Sequence, residues 1–275
     1  MRANLGGRRI ALFEARLAGP LSELVRRGGG EPVCVPSVRE LRRDVAGELG
    51  ALLDVLSAAA TPVFVFTTGV GVTALFEETR ALGREAALRD ALSRGTLVCR
   101  GPKPVAALHR ERFTAQLLAP SPYTTRDLLS TLDAVPISGR RVVVLHYGER
   151  NTELPAALQA RGGELSELLL YEWALPEDQR ALEAIVRDLV GGGFAAAAFT
   201  SQIQARNLLA VAERIGGRGA LVAALRGITV AAVGPTCARA LRELGVEPQV
   251  VPENPKMGPM LEALARRLDL LEHAS

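Results

Sequence analysis

Val63-Phe64-Val65-Phe66 runs directly into Thr67-Thr68-Gly69-Val70-Gly71, and with Ala74 the segment satisfies a loose G-x-G-x-x-A. Apolar β-formers followed by a glycine-rich turn and a helical stretch can cradle a dinucleotide pyrophosphate on backbone N–H groups. Other candidate chemistry is sparse. His109, His146 and His273 are dispersed, as are Cys34, Cys99 and Cys237, which form no C-x-x-C pair. Such spacing argues against a metal or redox site. No Ser-His-Asp set or carboxylate pair stands out.

Composition narrows the partners. The 275 residues are 48% hydrophobic and 23% charged, with a formal charge of +3. These values fit an ordinary globular chain of one large or two medium domains. Arginines come in pairs such as Arg8-Arg9 and Arg140-Arg141 and never in a basic block, so no nucleic-acid partner is expected. The N-terminus lacks the apolar core of a signal peptide, and no apolar run reaches membrane-spanning length. A cytoplasmic protein with no membrane contact is the expectation.

The elements that would position a site come in two copies. Phe66-Thr67-Thr68 in the first half recurs as Phe199-Thr200-Ser201 in the second. The segment from Gly7 to Phe13 recurs from Gly139 to Leu145, and Gly101-Pro102 recurs as Gly234-Pro235, with the spacing between copies constant to within one position. Motifs kept in order at nearly one offset indicate internal duplication. Each half alternates strand and helix, which implies parallel sheets with right-handed crossovers. Strands are expected near 8–13, 32–36, 62–67, 96–99 and 115–118, then 141–146, 165–170, 195–200, 228–233 and 248–251. Thr124 with Asp127, and Ser201 with Gln204, have capping-box spacing, and Pro102 and Pro235 suit a first helical turn.

Duplication weakens the dinucleotide reading. The second copy of the loop, from Thr200 to Arg206, contains no glycine, and the acidic partner expected downstream falls at Asp90 within a helical stretch. Both copies keep hydroxyls at a strand end. In open parallel sheets ligands gather at the carboxyl ends of strands, where helix N-termini present N–H groups. Arg16, Thr67, Thr68, Arg100 to Lys103, His146 to Arg150, Thr200 to Gln202 and Gly234 to Thr236 are expected there. Donors of this kind suit a ligand carrying several carboxylates.

The order of Phe199-Thr200-Ser201, then Val233-Gly234-Pro235-Thr236, then Glu247 to Glu253 resembles uroporphyrinogen-III synthases. So do Leu168 to Trp173 and Phe66 to Phe76, and the resemblance runs from about residue 8 to 271. It implies two similar parallel-sheet α/β domains joined by a two-stranded connector, with the active site in the interdomain cleft. Carried over, one domain is 1–36 plus 174–275 and the other 37–173, with connector crossings near Val35 to Ser37 and Tyr171 to Trp173. The implied reaction closes the linear tetrapyrrole hydroxymethylbilane into uroporphyrinogen III with inversion of the last pyrrole ring and loss of water. It needs no cofactor and no metal. The protein is then expected as a monomer, with transient contact to the preceding deaminase.

Tyr171 is the implied catalytic residue, a phenol that keeps its proton at neutral pH and can donate to the departing hydroxyl. Substrate-binding residues implied by the same match are Thr67, Thr68, Gly69, Thr200, Ser201, Gln202, Gly234, Pro235 and Thr236. Arg16, Arg100, Lys103 and Arg150 add cations for carboxylates. Cys237 stands where the family commonly has threonine, which puts that position's donor role in doubt. A two-lobed, non-enzymatic sensor of an anionic metabolite is the alternative on the same residues.

Overall fold

The computed structural model describes residues 4–59, 61–148 and 152–272. Its strands are β1 (Arg9–Leu12), β2 (Glu31–Cys34), β3 (Arg39–Arg42), β4 (Val63–Phe66), β5 (Thr96–Cys99), β6 (Leu117–Leu118), β7 (Arg141–Gly148), β8 (Glu164–Ala174), β9 (Ala196–Phe199) and β10 (Thr229–Ala232). The first six helices are α1 (Ala18–Arg27), α2 (Ala46–Ala58), α3 (Gly69–Ala81), α4 (Glu85–Arg94), α5 (Pro102–Arg110) and α6 (Thr125–Leu132). They are followed by α7 (Glu153–Ala160), α8 (Arg180–Val190), α9 (Gln202–Arg214), α10 (Arg218–Gly227), α11 (Pro235–Glu243) and α12 (Met257–Glu272). Two compact units result, Met1–Arg39 with Ala174–Ser275, and Glu40–Trp173.

In the first unit the sheet order is β10-β9-β1-β2, with every neighbour parallel. Parallel strands covered by helices on both faces must be apolar on both faces. Accordingly β9, Ala196-Ala197-Ala198-Phe199, is buried at every position. The two-residue period sorts its neighbours. Ala11, Phe13, Ala197 and Phe199 join a core with Leu182, Leu208 and Leu241 of α8, α9 and α11. Ile10, Leu12, Ala196 and Ala198 face the other way, onto Leu21 of α1 and Met260 and Leu264 of α12. Helix α8 buries Leu182, Ile185, Val186 and Leu189, one helical stripe, each worth about 1.5–3 kcal/mol over exposure.

The second unit repeats this plan. Its sheet order is β3-β8-β7-β4-β5-β6. Phe64, Phe66, Leu97, Cys99, Val143 and Leu145 pack with Leu53, Val72, Leu88 and Leu108 of α2 to α5. Val63, Val65, Val98, Val142 and Val144 pack on Leu128 and Leu154 of α6 and α7. The order β8-β7-β4-β5 matches β2-β1-β9-β10. The strand heads pair off at the offset of the sequence repeat: Arg9 with Arg141, Glu31 with Glu164, Val63 with Ala196, and Thr96 with Thr229. The copies are not tandem units, because β1 pairs with β9 and β4 pairs with β7.

Two elements depart from the sequence reading. The strand expected over 248–251 is reduced to one bridge, Ala231 to Val250, since Pro248 and Pro252 remove ladder donors on either side. Conversely, β3 was not expected. It is Arg39-Glu40-Leu41-Arg42, an edge strand whose charged residues give no β signal. The pairing of β7 with β8 shifts register between His146 and Gly148. Gly148 has φ +88° and a Cβ there would fall 2.0 Å from Trp173 Cε2, so the shift requires glycine.

Candidate active site

In the second unit, β4 and β7 are neighbours and the chain leaves them in opposite directions across the sheet, the arrangement that opens a crevice at strand ends. There the Thr67 hydroxyl donates to Leu145 O on β7 at 3.2 Å. Thr68 Oγ1 accepts the Gly71 N–H at 3.0 Å and caps α3. Gly69 has a packing reason: a Cβ on it would lie 2.7 Å from the Lys103 carbonyl oxygen, so α3 meets α5 backbone to backbone. The glycine-rich turn thus serves a helix contact. With the Gly71 N–H taken by the Thr68 cap, the Gly69 and Val70 N–H groups, which lack carbonyls four residues back, and the Thr68 hydroxyl hydrogen are the natural donors to a ligand.

Arg100 follows β5. Its backbone N–H donates to Phe66 O at 2.9 Å, while its half-buried side chain has no ion pair or hydrogen bond among the described residues. Burial pushes the guanidinium pKa down, as expected for a cation taken from water without a counter-charge. Gly101 packs beside the Tyr123 ring, Pro102 opens α5 as expected, and Lys103 is exposed. His146 is buried on β7, with Nε2 standing 2.6 Å from Glu167 Oε2 on β8. Arg150 lies outside the described residues.

Tyr171 sits near the end of β8, three residues beyond Leu168, which pairs with Leu145 where β4 ends. It packs against the core that contains Phe66 and Val72. Its pKa is raised first by burial and further by Glu78, Glu77 and Glu40, against a lowering contribution from Arg42. Arg42 Nε is ion-paired with Glu78 Oε1 at 2.7 Å. An acidic, partly desolvated surround keeps the phenol protonated and hence a donor.

In the first unit the corresponding strand ends are β1 and β9. Phe13 and Phe199 stack with centroids 4.8 Å apart and set the level of the rim. Beyond them the Thr200 hydroxyl donates to Glu14 Oε2, and Gln204 Nε2 donates to the same oxygen at 3.1 Å. Thr200 N–H in turn donates to Gln204 Oε1 at 2.8 Å. This corrects the capping reading: Ser201 is the N-cap of α9 but its side chain makes no cap bond, because the buried Gln204 reaches Thr200 instead. Thr124 with Asp127 does form the full box. Gln202 begins α9, and Arg16 is exposed before α1.

Gly234 is buried against Pro255, with Pro235 and Thr236 exposed in the first turn of α11. Cys237 turns inward, its thiol donating to Phe199 O at 3.6 Å. Burial pushes its pKa up to about 12, and the bond to Phe199 O turns the S–H away from the strand-end donors of the exposed Thr236.

Glu14 was missed from sequence. The available signal was its place as the first charged residue after the apolar run of β1, at the strand boundary where the chain's direction reverses. Among the described residues no cluster of three His, Cys, Asp or Glu could hold a metal, and no helix is long and apolar enough to cross a membrane.

Known proteins share this architecture. A family model described as uroporphyrinogen-III synthase HemD matches residues 19–262. The chain is 30% identical to the uncharacterized protein YjjA of Bacillus subtilis (strain 168), over 97% of this chain and 98% of that one. It is similar to the crystal structure of a mutant uroporphyrinogen III synthase from Thermus thermophilus, at a TM-score of 0.76 and 28% identity, covering 96% of this chain and 99% of that one. The Helicobacter pylori 26695 uroporphyrinogen-III synthetase, at 16% identity and a TM-score of 0.52 over 95% and 99% of the two chains, shares the fold. With two parallel-sheet units of one plan and a family match over most of its length, the chain belongs to the uroporphyrinogen-III synthase family.

Proposed function

We propose that the protein converts hydroxymethylbilane to uroporphyrinogen III, inverting the last pyrrole ring and releasing water, in tetrapyrrole synthesis. Family membership supports the enzyme class, and Arg100 is the observation that carries the substrate. Its guanidinium is desolvated and has no anionic partner among the described residues, a costly state that an acetate or propionate of the bilane would relieve. Thr67, Thr68 and Gly69 bring the N-terminus of α3 to the strand ends of the second unit. Thr200, Ser201, Gln202, Gly234, Pro235 and Thr236 bring those of α9 and α11 to the strand ends of the first. These N–H groups and the exposed Arg16 and Lys103 share the remaining carboxylates. Tyr171, held protonated, donates to the departing hydroxyl.

The intermediate left by that departure cyclises in water without inversion, so the protein's work is to hold the chain for the alternative closure. Supplying the protein with hydroxymethylbilane and identifying the isomer formed tests the proposal, since a non-enzymatic binder would leave the solution product unchanged.

A further inference from the structure

We propose that Glu14 is a catalytic carboxylate of this reaction, accepting a pyrrole N–H and balancing the positive charge the ring acquires; the inference rests on the proposed reaction. Departure of the hydroxyl as water consumes one proton and leaves an azafulvenium, whose nitrogen keeps its hydrogen and carries the charge. Closure with inversion forms two carbon–carbon bonds and breaks one, that between the last ring and its existing bridge carbon, and loss of a ring-carbon proton returns the proton consumed, so no oxidant or reductant enters. The enzyme therefore handles a cation on a molecule it otherwise grips by its anions. Cations and N–H donors that hold the carboxylates oppose that step, whereas a carboxylate at a strand end assists it.

At the strand ends of the first unit Glu14 supplies such a carboxylate. It follows β1 at the strand boundary with β9 and is half-buried. Its Oε2 accepts from Thr200 Oγ1 and from Gln204 Nε2 at 3.1 Å, and its Oε1 accepts the Leu17 N–H at 3.3 Å. An ionised carboxylate offers about four acceptor positions, so these three donors leave one on Oε1. Gln204 is buried and itself bonded to Thr200 through its oxygen, which fixes the orientation of the pair. A hydrogen bond from pyrrole N–H to such an anion strengthens as the ring becomes cationic, which is stabilisation of the transition state over the ground state. In this assignment Thr200 and Gln204 position Glu14.

Glu14→Gln removes the charge while its one oxygen still accepts from Thr200 and Gln204; of the three donors only the Leu17 N–H, at 3.3 Å, loses its acceptor. The expected result is a fall in kcat of about 30- to 300-fold with KM changed less than about threefold, the range for loss of one preorganised electrostatic contact. Glu14→Asp, which keeps the charge, recovers most of that loss. If Glu14→Gln does not fold, Glu14→Ala with added formate replaces it: saturable recovery of kcat supports the role, and no recovery contradicts it. An active parent with an unaffected Glu14→Gln, or a Glu14→Asp as slow as Glu14→Gln, overturns the inference alone. A parent that forms no uroporphyrinogen III overturns the proposed reaction and this inference with it.

Discussion

The carbonyl oxygen of Lys103 lies 2.7 Å from the point that a Cβ on Gly69 would occupy. Helices α3 and α5 therefore touch through backbone at their N-terminal turns, and both turns border the strand ends where the substrate is proposed to bind. Gly69→Ala should destabilise the fold by about 1–3 kcal/mol, the usual cost of overpacking a close contact. Urea denaturation followed by circular dichroism measures it. A variant as stable as the parent would show that the helices separate freely, and the packing reason for this glycine would fail.

The thiols offer a test of the interior. Burial pushes Cys99 and Cys237 up to about 12, and Cys34 is raised less. The thiolate is the reactive form, so raising the pKa lowers reactivity at a given pH. At pH 8 a pKa near 12 leaves about one part in ten thousand ionised. Titration of the folded protein with a thiol reagent should therefore label Cys34 first, with Cys99 and Cys237 following only on unfolding. Labelling of Cys237 at the rate of Cys34 would mean that its side chain faces solvent and not Phe199 O.

Tyr171 is proposed as the proton donor to the leaving hydroxyl. Tyr171→Phe keeps the ring against the core of Phe66 and Val72 and removes only the oxygen. Turnover should fall by about 10- to 100-fold, as for one lost general acid or oriented donor. Unchanged turnover would leave Tyr171 with a packing role.

Arg100 should behave in the opposite manner to a structural arginine. Since its side chain has no partner among the described residues, Arg100→Met removes no recorded internal bond and relieves a desolvated charge. Stability should hold or rise. A charge-assisted hydrogen bond is worth about 1.5–3 kcal/mol, so KM should rise about 10- to 100-fold if a substrate carboxylate is its partner. A destabilised variant with unchanged KM would assign Arg100 to the fold.

How much of this was legible beforehand follows from which interactions are local. Strands β4, β9 and β10 are unbroken apolar runs or nearly so, and buried parallel strands are recognisable from such runs alone. The duplication was equally plain from Phe66-Thr67-Thr68 and Phe199-Thr200-Ser201, and with it the twin sheets. Edge strand β3 was invisible because pairing with β8, not its own composition, makes it extended. In the site, the strand-end positions of Thr67 and Thr200 were readable, but the direction of each hydroxyl was not. Thr67 turns to Leu145 and Thr200 to Glu14, partners 78 and 186 residues away. Pairings at that distance follow from sheet order, so the negative charge at this rim came into view only with the fold.

Isomer composition of the product tests the central claim most directly. Porphobilinogen and the preceding deaminase generate hydroxymethylbilane in situ, and the oxidised porphyrins are separated chromatographically with and without the protein. Without it, the bilane closes in solution to isomer I. With it, uroporphyrin III should become the dominant product, in an amount that grows with protein concentration until the deaminase limits the rate. Isomer I in the same proportion with and without folded protein would contradict the proposed reaction.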